Sequence, residues 1–364
     1  MPLEIQPLDD RGDAWNSFAK QSEDAWFWHT THWMEYTQEY SADRFIANSS
    51  FTIVENETIL AICPLVTERD VLEERGNKFS YSGGPIPFPA TRNDLSPAKK
   101  QQVLNLYVQT LTSIAQRTDV GYVSVRVPSV AKSYMAFGAP FASPMLRYGY
   151  IDLAHLTQVI DLREEASVLW GNIRKGHKAD IKRAEQSCEV TVWDGGSITT
   201  EKFQEYQSLH AKDAGKVTRS QTTFDLMRAW VEDGNAILVE AQHAGQTAAF
   251  SLVILFNSGA YYGSSCKDPD LVGIPASHLI QWRTISWLKE HGIDWYDVGV
   301  QQFSPQWFDP AGAKDISIAD FKRGFGGATV PLVTAEFFYD KALLKRTFES
   351  RLDGYLSSLH TTPN

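Results

Sequence analysis

One order of predicted elements occurs twice along this chain, and this repetition limits the possible fold more than any single motif does. In the first half, β-branched runs around a polar turn predict a hairpin over 51–66. Apolar residues then recur at helical spacing over 97–116, and a strand is predicted over 121–128. A hairpin followed by a helix and a strand is the pattern of an α+β domain.

The second half repeats this order. It contains a predicted hairpin that turns at 243–246, a third strand over 260–264, a helix over 276–292 and a strand over 293–300. Helices are also predicted before each hairpin, over 24–41, 167–186, 201–213 and 224–232. We therefore expect two α+β domains, each with a mostly antiparallel sheet flanked by helices.

The length of the chain agrees with two domains. It has 364 residues, of which 43% are hydrophobic, and single domains commonly contain about 100–200 residues. We place the first domain at 1–155, with 331–364 as a segment that could pack on it, and the second at 156–330.

The charge of the chain narrows the choice of partners. Lys and Arg total 34 against 44 for Asp and Glu, so the formal net charge is −10 and a broad surface that coats nucleic acid is not expected. The densest basic run lies at 172–185, where Arg174, Lys178 and Lys182 are spaced at i, i+4 and i+8. Such a stripe is either a solvated helix face or a local phosphate contact.

Three further features predict a cytoplasmic protein without a metal. The longest apolar run, 248–256, is shorter than the roughly 20 residues of a membrane-spanning helix, and the first ten residues do not resemble a secretory signal. The three cysteines are widely spaced, which argues against a disulfide framework. His29 and His32 are three residues apart, but aromatic neighbours favour core packing over metal binding.

Four stretches, taken in order, resemble one known family. They are "SGGPIP" at 82–87, "LWGNIRKGHKADIKRAE" at 169–185, "GIPASHLIQWRTISWLKEHGIDWYDVGV" at 273–300 and "FKRGFGG" at 321–327. Together they are similar to the Fem family of nonribosomal peptidyltransferases and their relatives, which have two tandem GNAT acyltransferase folds. The resemblance implies tandem GNAT-like domains and transfer of an acyl group to an amine, from acyl-CoA or from aminoacyl-tRNA.

The resemblance also implies site residues in the second domain. Phe321 and Lys322 match the Phe-Lys pair that Fem-type enzymes place at the active site, where a cation can stabilise developing negative charge or bind the donor. Tyr262 is a candidate to protonate a leaving thiolate, Asp297 to orient an amine and His210 to act as a base. Each of these side chains could equally be structural.

Two departures from the family bear on the donor. Val127 precedes Pro128 where Fem peptidyltransferases tend to carry an Asp-Pro pair, and this weakens the tRNA-dependent alternative. The GNAT pyrophosphate loop would lie at 270–275, where only Gly273 fits, and this weakens the acyl-CoA alternative as well. Backbone amides at the start of the following helix could still bind a phosphate, so the candidate cofactor contacts are Gly273, Ile274, Ala276 and Ser277.

Three functions remain open from the sequence. The first is an N-acyltransferase that uses acyl-CoA and a nucleotide-linked aminosugar in surface polysaccharide biosynthesis, at the cell envelope. The second is an aminoacyl-tRNA-dependent peptidyltransferase that builds peptidoglycan cross-bridges. The third is a non-catalytic module that binds a small ligand or a protein, because fold similarity alone does not establish activity.

Overall fold

The computed structural model describes residues 2–8, 12–70, 76–136 and 143–359. The chain divides into two compact units. Unit 1 comprises Met1–Leu156, Val300–Ala319 and Pro331–Asn364, and unit 2 comprises Thr157–Gly299 and Asp320–Val330. The expected second domain, 156–330, included residues 300–319, which group with unit 1.

The helices of the described residues, in chain order, are α1 (Gly12–Gln21), α2 (Thr31–Tyr40), α3 (Pro97–Arg117), α4 (Lys132–Ala136), α5 (Ala166–Asn172), α6 (Lys175–Glu185), α7 (Thr200–Ala214), α8 (Gln221–Glu232), α9 (Ala276–Glu290), α10 (Ala313–Arg323) and α11 (Lys341–Leu359). Short 3-10 turns lie at Phe27–His29 and Pro144–Tyr148. Within the described ranges, no helix combines the length and the apolar character that crossing a bilayer requires.

The strands are β1 (Glu4–Pro7), β2 (Phe45–Asn48), β3 (Phe51–Glu55), β4 (Thr58–Cys63), β5 (Val66–Arg69), β6 (Asn77–Phe79), β7 (Ile86–Pro87), β8 (Ala90–Thr91), β9 (Val120–Arg126), β10 (Ile151–Asp152), β11 (His155–Asp161), β12 (Cys188–Trp193), β13 (Ala236–His243), β14 (Gln246–Phe256), β15 (Gly259–Lys267), β16 (Trp295–Gln301), β17 (Ala328–Leu332) and β18 (Thr334–Phe338).

Unit 1 contains two sheets. The smaller has the order β1-β3-β4-β8, and its neighbouring strands pair antiparallel. The larger has the order β10-β18-β9-β6-β5-β2, with β7 also paired to β9. Both β6 and β7 run parallel to β9, while β18 runs antiparallel to it. The sheet is therefore mixed.

Unit 2 is built around one sheet with the order β12-β13-β14-β15-β16-β11-β17. Strands β12 to β15 form an antiparallel meander, and β15 pairs with β16 in parallel. The long apolar run in β14 lies almost wholly in the core, which suits a strand covered on both faces. Helix α9 packs on the sheet and contributes Leu279, Ile280 and Leu288 to the core. The predicted α+β class with mostly antiparallel sheets is confirmed.

Turn chemistry explains both predicted hairpins. Asn56 and Glu57 take positive φ between β3 and β4, and Ala244 and Gly245 do so between β13 and β14. Two consecutive residues with positive φ match the twist of an antiparallel pair. Helix α3 also forms as expected, beginning at Pro97 after the Ser96 side chain accepts a hydrogen bond from the Lys99 backbone N–H.

Two predicted helices were wrong in extent. The helix expected over 167–186 is interrupted, because Ile173 and Arg174 have extended backbone with ψ of 134° and 141°. The Arg174 N–H donates to the Gly324 carbonyl at 2.8 Å, so a tertiary contact replaces the helical bond. The helix expected over 24–41 begins only at Thr31, after a 3-10 turn capped by Thr30.

Candidate active site

Strands β15 and β16 of unit 2 pair over a short stretch and then separate. The parallel pairing joins Gly259 to Trp295, Ala260 to Tyr296 and Tyr261 to Asp297, while β15 continues to Lys267 and β16 to Gln301. A bulge in the β14–β15 pairing lies at the same level, between the Ser264 and Tyr262 positions. Bulges redirect a strand and are common near functional sites, so this opening in the sheet is the natural place to look for chemistry.

Lys322 reaches this opening from α10. A Cβ placed on Gly299 of β16 would lie 2.7 Å from Lys322 Nζ, so the ammonium group packs directly against the Gly299 backbone. Lys322 Nζ also lies 5.9 Å from the centre of the Tyr262 ring on β15. The two separating strands and the lysine therefore form one local arrangement.

Asp297 supports the same arrangement from a buried position. Its Oδ1 accepts hydrogen bonds from the Thr157 hydroxyl at 2.6 Å and from the Gly299 N–H at 2.7 Å. The side chain is 1% exposed. Asp297 therefore fixes the local backbone that faces Lys322, and its charge acts on the lysine as well.

Burial shifts the pKa values of both candidate catalytic side chains. It lowers the pKa of the Lys322 ammonium, and the Asp297 charge opposes that shift. Burial also raises the pKa of the Tyr262 phenol, which keeps its proton at neutral pH. The site thus holds a partly desolvated lysine near the ring of a tyrosine whose hydroxyl interacts with Ser265 and Gln281.

His210, on α7, makes its contacts with residues that are near it in the sequence. Its Nε2 lies 2.8 Å from the Arg219 guanidinium and its Nδ1 lies 3.3 Å from the Thr218 hydroxyl. Burial, followed by the Arg219 charge, lowers the pKa of the imidazole. The ring also packs edge-on against Tyr206 and Phe224. These contacts do not include Lys322, Tyr262 or Asp297.

The basic run does not form a single helical stripe. Arg174 lies in the break before α6, where its guanidinium makes a two-pronged ion pair with Asp320 at 2.7 and 2.9 Å. Lys178 donates to the Gly171 carbonyl at 2.8 Å. Lys182 is exposed on α6. Two of the three predicted phosphate contacts, Arg174 and Lys178, thus bind groups within unit 2. The ion pair of Arg174 joins the start of α6 to α10.

Phe321 and the glycines that follow it pack inside unit 2. The Phe321 ring contacts those of His177, His278 and Phe325, with centroids 4.9 to 5.5 Å apart. Cβ atoms on three of the glycines would collide with other residues of the unit: His177 for Gly324, Asn172 for Gly326 and Val159 for Gly327. The close backbone approach that these glycines permit is therefore to the protein's own chain.

The loop before α9 is anchored by acidic residues. Lys212 Nζ lies 2.6 Å from Asp268 and 2.8 Å from Asp270. Gly273 has φ of +83° and is exposed, as is its neighbour Val272. Among the other candidate cofactor contacts, Ala276 is buried, whereas Ile274 and Ser277 are partly buried. Two carboxylates at the start of the loop make it a poor place for a pyrophosphate.

Residues of the described ranges form no group of three or more His, Cys, Asp or Glu side chains that could hold a metal ion. His29 is fully buried, and its Nε2 donates to the Phe88 carbonyl oxygen at 2.7 Å. The ring therefore ties two loops of unit 1 together.

Sequence reasoning missed Gly299, which lies in the site, and His278, which packs against Phe321, the chain neighbour of Lys322. A glycine inside the strand "WYDVGVQ" is a signal of close approach by another group, and it could have pointed to Gly299. His278 had no comparable signal, because its contacts with His177 and Phe321 come from different helices.

One segment of the chain, which includes this site, matches a known family. Residues 171–322 match the family model described as an acetyltransferase (GNAT) domain. No curated protein shows significant sequence similarity to the chain. The resemblance that the sequence motifs show to the Fem-like tandem GNAT family agrees with this match and with the fold shared by the solved structures below.

Three solved structures illustrate that similarity. FemX aligns over 95% of this chain and 100% of its own, with a TM-score of 0.68 and 12% identity. L-PGS from Bacillus licheniformis aligns over 96% and 98%, with a TM-score of 0.57 and 12% identity. The C-terminal domain (DUF2156) of a putative lysylphosphatidylglycerol synthetase from Agrobacterium fabrum aligns over 94% and 95%, with a TM-score of 0.56 and 11% identity. At these identities the matches establish a shared fold.

Proposed function

We propose that unit 2 catalyses N-acyl transfer from acyl-CoA to the amine of an aminosugar, which we take to be nucleotide-linked and used in surface polysaccharide biosynthesis. The observation that carries this proposal is the position of Lys322 against Gly299, at the point where β15 and β16 separate. A partly desolvated lysine where two strands separate, with a tyrosine ring 5.9 Å away, suits acyl transfer.

The chemistry assigns a role to each group. A neutral amine attacks the thioester carbonyl carbon, a C–N bond forms and the C–S bond breaks, and the amine loses a proton to solvent. The Lys322 ammonium stabilises the negative charge that develops on the carbonyl oxygen. Tyr262, whose raised pKa keeps it protonated, donates its proton to the leaving thiolate and takes up a proton from solvent afterwards. Asp297 holds the Gly299 backbone in place.

The separated strands support an extended donor. Past Tyr261 and Asp297 the pairing of β15 with β16 ends, and a donor with an extended arm that bears amide groups, such as the pantetheine arm of CoA, can bind a strand edge through main-chain hydrogen bonds. Acyl-CoA is such a donor, and its use would place the reaction in the cytoplasm. The aminosugar acceptor rests on the missing Asp before Pro128, which sets the chain apart from Fem peptidyltransferases.

The first test is calorimetric titration with acetyl-CoA, followed by an assay of CoA release with a panel of nucleotide-linked aminosugars. We expect micromolar binding, on the order of −8 kcal/mol, and CoA release that requires the acceptor. Lys322→Ala should lower kcat about a hundredfold, and Tyr262→Phe about tenfold or more. Lys314→Ala, an exposed lysine near the start of the same helix, is the matched control.

A second candidate is transfer from aminoacyl-tRNA. The observation in its favour is the pair of carboxylates, Asp268 and Asp270, in the loop where a CoA pyrophosphate would be expected to bind. FemX, which shares the fold, supports the same reading. This candidate predicts acyl transfer that ribonuclease abolishes and no binding of acetyl-CoA. A net charge of −10 counts against a large RNA interface.

Two results would reject catalysis altogether. If neither acyl-CoA nor aminoacyl-tRNA is consumed with any acceptor, and if Lys322→Ala leaves the binding of an identified ligand unchanged, unit 2 is a binding module. A stable GNAT-type fold without turnover is physically possible, because the fold positions a site but does not determine its chemistry.

A further inference from the structure

The large sheet of unit 1 contains an opening centred on Ser124. Strand β6 pairs with β9 up to Phe79 opposite Val123, and β7 resumes the pairing with Ile86 opposite Val125. Residues 80–85 leave the sheet between these two points. On β9, only Ser124 separates the two paired positions. The six residues between β6 and β7 therefore span a gap that is one residue long on β9.

This loop is fixed in an unusual conformation. Ser82 and Gly83 both have positive φ, at 51° and 84°. The Glu68 carboxylate, which is fully buried, accepts from the Ser82 N–H at 2.8 Å and from the Gly83 N–H at 3.0 Å. Tyr81 and Gly84 close the loop with two backbone hydrogen bonds. Strained backbone that the surroundings hold in place often marks a binding site.

A cavity of about 170 Å³ lies between the loop and β9. Its lining includes three basic side chains, Lys78, Arg126 and His155, and no carboxylate. Asp70 lies 3.6 Å from Lys78 and Asp309 lies 3.9 Å from His155, but neither residue lines the cavity. Two buried carboxylates also lie behind the lining, because Glu68 binds the Gly83 N–H and Glu336 accepts from the Tyr122 hydroxyl at 3.0 Å. The charged side chains of the lining itself are nevertheless basic.

Ser124 supplies an unsatisfied polar group at this cavity. The residue is 6% exposed, and among the described residues its buried Oγ makes no hydrogen bond of normal geometry, its polar neighbour being the Tyr122 side chain. A buried hydroxyl without a partner costs free energy that a ligand can recover. Arg126 is oriented beside it, because its Nε donates to the Thr334 hydroxyl at 3.1 Å.

We propose that this opening in unit 1 is a binding site for a small oxyanion, the phosphate or carboxylate group of a ligand, held by Ser124, Arg126 and Lys78 with His155 at the rim. The cavity is large enough for one such group and for little else. The site is built wholly from unit 1 and does not depend on the reaction proposed for unit 2.

The test is titration of the full-length protein with inorganic phosphate and, separately, with acetate, monitored by calorimetry and by thermal unfolding. Saturable binding of phosphate assigns a phosphorylated ligand, and preference for acetate assigns a carboxylated one. Arg126→Gln should weaken the binding about tenfold or more, as expected for a charge-assisted hydrogen bond. Arg117→Gln, an exposed arginine on α3 with the same change of charge, should leave it unchanged.

Ser124→Ala separates binding from folding. Removing an unsatisfied hydroxyl should leave the stability of the ligand-free protein equal or higher, while the stabilisation by the anion falls several-fold. The proposal is overturned if neither anion saturates the protein, or if Arg126→Gln and Arg117→Gln weaken binding equally. It is also overturned if Ser124→Ala binds as well as the parent protein.

Discussion

Gly299 and Lys322 occupy adjoining space: a Cβ on the glycine would lie 2.7 Å from the lysine Nζ. Gly299 also has φ of +102°, a region that residues with a side chain rarely adopt. The glycine on β16 therefore determines where the ammonium group on α10 can rest. Gly299 is therefore part of the site although it has no side chain, because its lack of a Cβ leaves room for the Lys322 ammonium group.

Gly299→Ala should displace Lys322 and lower kcat about tenfold or more, since a shift of about 1 Å in a catalytic group is costly. The matched control is Gly292→Ala, because Gly292 also has positive φ, of 72°, but a Cβ there would meet no atom within 4 Å. Steady-state kinetics and urea unfolding of both variants check this. Equal activity of the two variants would show that the contact with Lys322 is irrelevant to turnover.

Gly324→Ala should destabilise unit 2 by about 2 kcal/mol or more, because the new methyl group would overlap the His177 imidazole in a packed interior. Gly176→Ala, on α6, should change the free energy of unfolding by less than about 1 kcal/mol, since a Cβ there contacts nothing. Chemical denaturation measures both effects. A Gly324→Ala variant as stable as the parent would mean that the His177 side chain moves aside freely.

The stability of unit 2 should fall as the pH drops from 6.5 toward 4. Burial, and then the charge of His177, lower the pKa of His278 from 6.5 to about 4. Between these values the unfolded chain binds a proton that the folded chain does not, so stability rises with pH across this window. Below pH 4, where His278 is protonated in both states, the free energy of unfolding should be lower by about 3 kcal/mol than above pH 6.5.

Urea denaturation of the parent and of His278→Asn at several pH values checks this. The variant lacks the titrating group, and its stability should therefore vary less between pH 4 and 6.5. The same pH dependence in both proteins would assign the acid sensitivity to other side chains.

Arg351→Met should destabilise unit 1 by about 3 kcal/mol, because it leaves the buried Glu336 carboxylate without its ion pair. The two side chains meet at 2.6 and 2.7 Å, and that of Glu336 is inaccessible to solvent. Arg346→Met, on the same helix, removes a half-exposed pair at 3.9 Å and should cost less than about 1 kcal/mol. Hydrogen exchange over 341–359 should accelerate only in the first variant; acceleration in both would indicate that α11 is weakly held.

The fold was predictable because its signals are local. The hairpin at 243–246 and the helix at 276–292 follow from patterns of polarity that tertiary contacts reinforce. The break at Ile173 and Arg174 was not predictable, since it depends on a carbonyl 150 positions further along, at Gly324. Short-range periodicity alone favours a continuous helix there.

The site was predictable only in part. The motif around Lys322 drew attention to one side chain, and Tyr262 and Asp297 lie close to it in the structure. Their roles remain predictions. The ion pair between Arg174 and Asp320 could not be predicted, because nothing in the basic run indicates that a carboxylate on α10 neutralises Arg174. Charge along a sequence does not show which charges meet in space.

The order of strands in unit 1 has a consequence for synthesis. Strand β18 lies between β10 and β9 in the large sheet, yet it follows all of unit 2 along the chain. A nascent polypeptide emerging from the ribosome therefore exposes the edge of β9 until β18 arrives, after unit 2 has been translated. The unit that is begun first is the one that is completed last.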